Sequence, residues 1–287
     1  MVFFTALVLK FVFILLSIAF ITLFERKILG FSQNRLGPNK LLIKGVLQPV
    51  VDGLKLLIKE LFFPKKIVFW AIIRGPVLGF LVMLFLWTPL VTLWETKTSF
   101  YIILFFLVFV GLSVYSTLVS GWRRTSKFAS VGRVRSCSQS ISYEISLVFF
   151  ILSFLVFFSS FNEILFLPIR FFLFVVFWLR CVAETNRAPF DFSEGERELI
   201  SGFNIEFGSA GFVLLFLAEY GIILFFSCLI RIFFFGMGGG PFLLLFTVFI
   251  FIRRVYPRFR YDMLINMTWT KFLPASLSLL WGYLVVL

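Results

Sequence analysis

Residues 184–206 read ETNRAPFDFSEGERELISGFNIE, and their setting decides the fold. The stretch holds six carboxylates (Glu184, Asp191, Glu194, Glu196, Glu198 and Glu206) out of 14 in the whole chain. Apolar runs flank it on both sides, at about 164–182 and 208–234. A helix needs about 20 such residues to cross the hydrocarbon of a bilayer. A charged block between two runs of that length is a loop at a membrane edge. The predicted fold is all-α, a polytopic membrane protein.

The rest of the chain extends the pattern. Of its 287 residues 61% are hydrophobic and 14% charged, a balance that excludes a water-soluble domain. Eight apolar runs, near 3–24, 67–93, 100–119, 140–161, 164–182, 208–234, 241–256 and 271–287, predict eight transmembrane helices in a single bundle over 1–287. The seventh and eighth runs are short, and the seventh ends on Arg253-Arg254. The N-terminus is apolar from Val2 without a basic leader or cleavage pattern, so the first span is expected to be retained.

A net charge of +13 would suggest nucleic acid on a soluble protein, but here the bases crowd into loops. Of 27 Lys and Arg, 23 fall in or beside the loops after runs one, three, five and seven or at adjacent helix ends. The positive-inside rule puts these long loops on the matrix or cytoplasmic face, with both termini opposite. Within the first loop, Val50, Val51, Leu54, Leu57, Ile58 and Leu61 recur at helical spacing opposite Asp52, Lys55 and Lys59. That pattern predicts an amphipathic helix over about 44–62, lying on the membrane surface.

Histidine is absent, so proton chemistry here must use acids, Lys, Tyr and water. Cys137, Cys181 and Cys228 are too scattered for a disulfide framework or thiolate metal site. The glycines at 236–240 lead through Pro241 into an apolar run and read as a turn, not a nucleotide loop. The 45 phenylalanines point to an organellar genome with T-rich codons.

Four acids sit in or at the ends of spans: Glu25, Glu144, Glu184 and Glu219. An acid there is costly, and its default role is functional unless a base satisfies it. Glu25 is followed by Arg26 and Lys27 and reads as a paired carboxylate at a helix end. Glu144 and Glu219 have no base beside them and are the stronger candidates. The loop acids could form a hydrated surface patch, yet Pro189, Phe190, Phe192, Leu199 and Ile200 are poor material for one. Arg35 lies in a turn, where it could meet headgroups, a docking partner or an anionic ligand. Residues 256–262, YPRFRYD, read by themselves as an interfacial belt.

Several motifs occur in order: Glu25-Arg26-Lys27 with Gly30, Arg35-x-Gly37-Pro38-Asn39, and Gln48-Pro49 with Asp52-Gly53. There follow Ser142-Tyr143-Glu144, Ala183-Glu184-Thr185-Asn186-Arg187-x-Pro189-Phe190-Asp191, Glu194-Gly195-Glu196, Gly202-Phe203-Asn204-Ile205-Glu206, Ala218-Glu219-Tyr220 and the 256–262 stretch. From about residue 20 onward the chain resembles the subunit 1 family of mitochondrial respiratory complex I, NADH:ubiquinone oxidoreductase. Leu36 and Arg197 depart from its usual pattern, and the basic run Arg123, Arg124, Arg133 is heavier than expected.

The resemblance implies a core membrane subunit that carries no redox cofactor of its own, neither flavin, iron–sulfur cluster nor metal. Ubiquinone would be the substrate, at a site shared with neighbouring chains. Arg26, Arg35, Asp52, Glu206 and Arg258 would line the quinone tunnel or its mouth. Asp191, Glu194 and Glu196 would form an acidic loop facing the chamber. Glu144, Glu184 and Glu219, with Tyr143 and Tyr220, would begin the proton path. The partners would be hydrophilic quinone-pocket and terminal-cluster subunits, other membrane subunits and lipid, in the mitochondrial inner membrane with long loops toward the matrix. A membrane anchor of a hydrogenase-type complex and an autonomous ion transporter are the alternatives; the second predicts inverted repeats, which the sequence does not show.

Overall fold

The computed structural model describes the chain except residues 1, 41–42, 60–68, 96–99, 122–126, 161–166, 192–206, 236–241 and 287. Ten α-helices are described: α1 (Val2–Ser32), α2 (Gln48–Ile58), α3 (Phe69–Glu95), α4 (Phe100–Gly121), α5 (Lys127–Ser160), α6 (Leu167–Glu184), α7 (Ser209–Phe235), α8 (Phe242–Val255), α9 (Tyr261–Met267) and α10 (Leu273–Val286). A π-helical turn, Thr268–Phe272, joins α9 to α10. No strand occurs among the described residues. Among the described residues, the expected apolar runs fall almost wholly within helices. Four segments are long and apolar enough to cross a membrane by length and composition: Val8–Ser32, Leu104–Gly121, Lys127–Phe154 and Ser209–Phe235.

Two helices organise the bundle. α7 packs on α1, α2, α3, α6 and α8, while α5 packs on α4, α6, α9 and α10. α6 touches both and carries the C-terminal end from which the site is built. The phenylalanine excess is used in this packing. Phe150 stacks on Phe177 with centroids 5.2 Å apart, and Phe106 on Phe225 at 5.4 Å. Such pairs contribute about 0.5–1.5 kcal/mol beyond the area they bury.

α5 is the most polar of the spanning candidates and is nevertheless largely interior. Ser136, Ser142, Ser146 and Ser153 each donate to the carbonyl three residues back, at 2.7–2.8 Å. Hydroxyls satisfied within their own helix can be buried without needing partners elsewhere. On α1, Ile14, Ile18, Ile21 and Glu25 share one buried stripe, whereas Val8, Val12, Phe13, Leu16 and Phe20 face outward. That outward face suits hydrocarbon and would be a large apolar patch in water.

The first loop folds back onto the end of α1. A side chain on Gly30 would stand 3.0 Å from the Gly37 backbone, so the two glycines permit the close approach. α2 begins with Pro49 in its first turn and ends at Ile58, shorter than the expected 44–62; residues 60–62 lie outside the described ones. None of its residues is buried within this chain.

Candidate functional site: buried acids around the end of α6

α6 stops at Glu184 because Asn186 adopts a left-handed conformation, φ 50°, which asparagine tolerates at a helix end. Two residues on, the Ala188–Pro189 peptide is cis. Gln139 of α5 pins this segment from below: its Nε2 donates to the Ala183 carbonyl at 3.0 Å and to the Phe190 carbonyl at 3.1 Å. From the other side the Phe259 N–H donates to the Pro189 carbonyl at 3.2 Å, and the rings of Phe190 and Phe259 stack 5.5 Å apart. The Ser138 and Tyr261 hydroxyls are hydrogen-bonded to each other. The 256–262 stretch therefore acts here as a brace for residues 189–190.

The turn directs Arg187 toward α7. Its Nη2 donates to Glu219 Oε2 at 3.1 Å, and its Nη1 lies 3.9 Å from Glu25 Oε2. The guanidinium carbon also lies 4.0 Å from the centroid of the Tyr220 ring. Tyr220 donates from its hydroxyl to Glu25 Oε2 at 2.6 Å, and Arg253 of α8 donates to Glu25 Oε1. Burial opposes the charge on Arg187, but Tyr220, Glu219 and Glu25 outweigh it and hold its pKa above the ordinary guanidinium value. Five side chains from α1, α7, α8 and the turn after α6 thus form one charge cluster.

Next to it lies a cavity of about 80 Å³, lined among others by Glu184, Thr185, Asn186, Glu219, Ser113, Ser136 and Ser140. Such a volume accommodates several water molecules, each of which needs about 10–15 Å³ by this measure. Glu184 Oε2 and Asn186 Oδ1 are buried without a protein hydrogen-bond partner. Glu144 of α5 stands opposite Gly111 of α4; a Cβ at residue 111 would be 2.5 Å from Glu144 Oε1. Gly111 is next in sequence to Val110, which lines the cavity. Tyr143, beside Glu144 in sequence, is buried with its hydroxyl unpartnered. Carboxyl groups gathered on an interior cavity that also holds hydroxyls in its wall can pass protons through water.

The family described as NADH dehydrogenase matches residues 5–284. The chain belongs to it. NADH-ubiquinone oxidoreductase chain 1 of Aedes aegypti is 40% identical over 288 aligned residues, covering 95% of this chain and 92% of the relative. The protein of the same name from Heterololigo bleekeri is 41% identical over 93% of this chain and 91% of its own length. That from Thymallus arcticus is 41% identical, with 95% and 91% covered.

The sequence-derived residues separate into groups. Glu184 and Glu219 share the cavity, Glu144 stands against Gly111 of α4, and Arg187 joins Glu219 and Tyr220 in the charge cluster. Arg26 and Asp52 form an ion pair at 2.7 Å, and Gln48 Nε2 donates to the other Asp52 oxygen at 2.9 Å. This pair is partly exposed and ties α2 to α1. Arg35 and Arg258 are exposed, the first with its backbone N–H bound to the Gly30 carbonyl. Asp191 is buried. Glu194, Glu196 and Glu206 lie outside the described residues, as do residues 236–241, where a turn was expected.

Sequence reasoning set Glu25 aside as paired with its neighbours. It is indeed paired, but with Arg253, Arg187 and Tyr220, while Arg26 turns to Asp52. Glu219 seemed unpaired and has Arg187. The one signal for Glu25 was its place on the stripe Ile14, Ile18, Ile21. Among the described residues no group of three or more His, Cys, Asp or Glu could hold a metal ion.

Proposed function

We propose that this chain works as the membrane subunit of a NADH:ubiquinone oxidoreductase that couples ubiquinone reduction to proton translocation across the mitochondrial inner membrane. The observation that carries the coupling role is the placement of Glu184 and Glu219 on one interior cavity, with Glu219 joined through Arg187 to Glu25. Acids so placed can respond together when a charge changes at one end. In this reading Glu144, Glu184 and Glu219, with Tyr143 and Tyr220, begin a proton path. Arg26, Arg35, Asp52, Arg258 and Glu206 flank the ubiquinone route, and Asp191, Glu194 and Glu196 belong to the acidic loop beside it.

The finer architecture belongs to the same proposal. Eight helices span the membrane as a single bundle, α2 lies along its surface, and the long loops face the matrix, where hydrophilic subunits complete the quinone chamber. The apolar face of α2 and the absence of buried residues on it support that placement. Flavin and iron–sulfur clusters reside on other chains.

The test uses the assembled complex in sealed inner-membrane vesicles. E184Q and E219Q are expected to keep the complex assembled while lowering NADH-driven ubiquinone reduction and proton uptake by about ten-fold or more. Wild-type turnover with a wild-type proton-to-electron ratio in both variants overturns the acid path.

A further inference from the structure

Glu184 is 7% exposed and lines the interior cavity, and its Oε2 has no hydrogen-bond partner. Among the described residues no cation forms an ion pair with it. The neighbouring charge cluster is balanced without it, Glu25 and Glu219 against Arg187 and Arg253. An ionised Glu184 therefore leaves one uncompensated negative charge in the cavity wall, and a charge buried in an apolar bundle has to be neutralised. Its own proton can do this, and so can a cation in the cavity.

Much of the polar wall consists of oxygen acceptors. Ser116, Thr117, Ser136, Ser140 and Thr185 line the cavity, and each hydroxyl donates to a carbonyl three or four residues back in the chain, at 2.7–3.0 Å. A hydroxyl has one hydrogen and two lone pairs, so these five offer the cavity lone pairs. Asn186 lines the same cavity, and its buried Oδ1 has no partner. Among the described residues that line it there is no lysine or arginine. Such a wall disfavours an anion or a carbonyl ligand and favours a species that brings positive charge. The C-terminal end of α6, at Glu184, adds the negative end of its helix dipole.

The charge balance calls for a single positive unit. One uncompensated carboxylate, with amide, hydroxyl and water oxygens around it, suits a hard monovalent cation, because hard cations take oxygen ligands. About 80 Å³ leaves room for such an ion and a few waters to complete its shell. Of the acids, Glu219 shares the wall and is held by Arg187, while Glu144 stands against Gly111. Arg133 of α5 packs on Gly121, Arg180 of α6 is bound to the Ser146 and Phe272 carbonyls, and Cys137 Sγ lies 3.3 Å from Thr117 Oγ1.

We propose that this cavity is a binding site for one hard monovalent cation such as Na+, held by Glu184 and Asn186 with hydroxyl and water oxygens, in exchange for the proton of Glu184. One H+ leaves the carboxyl as one cation enters, and the charge in the cavity is unchanged. The site rests on the cavity and its oxygens, and it stands whether or not Glu184 also belongs to a proton path.

The test adds NaCl to the resting assembled complex near neutral pH, with choline chloride lowered to hold the ionic strength constant. Infrared difference spectra are expected to show the C=O band of a protonated carboxyl giving way to carboxylate bands as Na+ saturates. About one proton per complex should be released to the medium. E184Q should abolish both signals. S140A and T185V each remove one hydroxyl oxygen and keep the carboxyl; each should raise the half-saturating Na+ concentration roughly ten-fold.

A wild-type complex with no Na+-dependent carboxyl band overturns the proposal, as does a band that persists in E184Q. An unchanged half-saturation in both hydroxyl variants overturns it too. If E184Q keeps wild-type turnover and proton-to-electron ratio while the wild-type complex responds to Na+, the proton path fails and the cation site stands. A slow E184Q complex with no Na+ response in the wild type leaves the path and removes the site.

Discussion

Arg187 and Glu219 are 32 residues apart, and their contact at 3.1 Å joins the turn after α6 to the N-terminal half of α7. Both side chains are substantially buried, at 15% and 29% exposure, and the same guanidinium also faces Glu25. The pair therefore holds two acids of the cluster with one cation.

Removing that cation takes the guanidinium away from Glu219 and from Glu25, which keeps Arg253 and Tyr220. R187Q is expected to destabilise the assembled complex by about 3 kcal/mol, the lower end for breaking a buried pair, read as a lowered thermal midpoint. R187K should be near wild type at pH 7.5. A base whose proton affinity is raised on folding contributes stability below its unfolded pKa and loses it as pH rises through the folded value. For Arg187, already held above the ordinary guanidinium range, no such loss occurs up to pH 10.5. For R187K the loss should begin as pH climbs past lysine's range, ~10.4. Equal midpoints for wild type and R187Q would remove the pair from any structural role.

Asp52 and Arg26 present the opposite case. Their side chains are 33% and 52% exposed, so the ion pair contributes well under 1 kcal/mol once solvent screening is counted. D52N should leave assembly and thermal midpoint unchanged. If the two residues flank the quinone route, D52N raises the KM for a short-chain ubiquinone, and the wild-type KM rises with salt as the pair is screened. An unchanged KM would take Asp52 out of the route.

Gly111 leaves the space that Glu144 occupies. Gly→Ala within a helix ordinarily adds up to about 1 kcal/mol of stability. Here the new methyl would lie 2.5 Å from Glu144 Oε1, and the carboxylate must swing away. G111A is expected to assemble normally with an unchanged midpoint and to lose several-fold in proton-coupled turnover. Full activity would show that the position of the Glu144 carboxylate is unimportant.

Gln139 holds the segment after α6 through two carbonyls. The Ala183 carbonyl retains a second donor, the Asn186 N–H, whereas the Phe190 carbonyl loses its side-chain donor. Q139L should cost about 1–3 kcal/mol for the unmade hydrogen bond. Amide exchange should accelerate in 184–190 before it does in α5. Uniform exchange across both regions would count against a local brace.

Much of the architecture could be read directly from composition and periodicity. The apolar runs, the interrupted amphipathic pattern after Gln48 and the polar turn at 184–191 all correspond to described features. Helix lengths were less legible: α5 begins at Lys127, well before the apolar run at 140, because serines such as Ser136 satisfy their hydroxyls on their own helix, which a hydropathy pattern does not reveal. The site was legible only as a set of acids. Glu25 looked paired with Arg26 and Lys27.

The sequence by itself determined that this chain is helical and suited to a membrane. A backbone in hydrocarbon must satisfy its hydrogen bonds within each helix, so the length of an apolar run is a local property. Only the tertiary structure decided which charge meets which. Tyr220 reaches Glu25 across 195 residues and Arg253 reaches it across 228. Those meetings depend on how α1, α7 and α8 pack, and helix packing in an apolar medium is set by the fit of small side chains and ridges rather than by charge spacing along the chain.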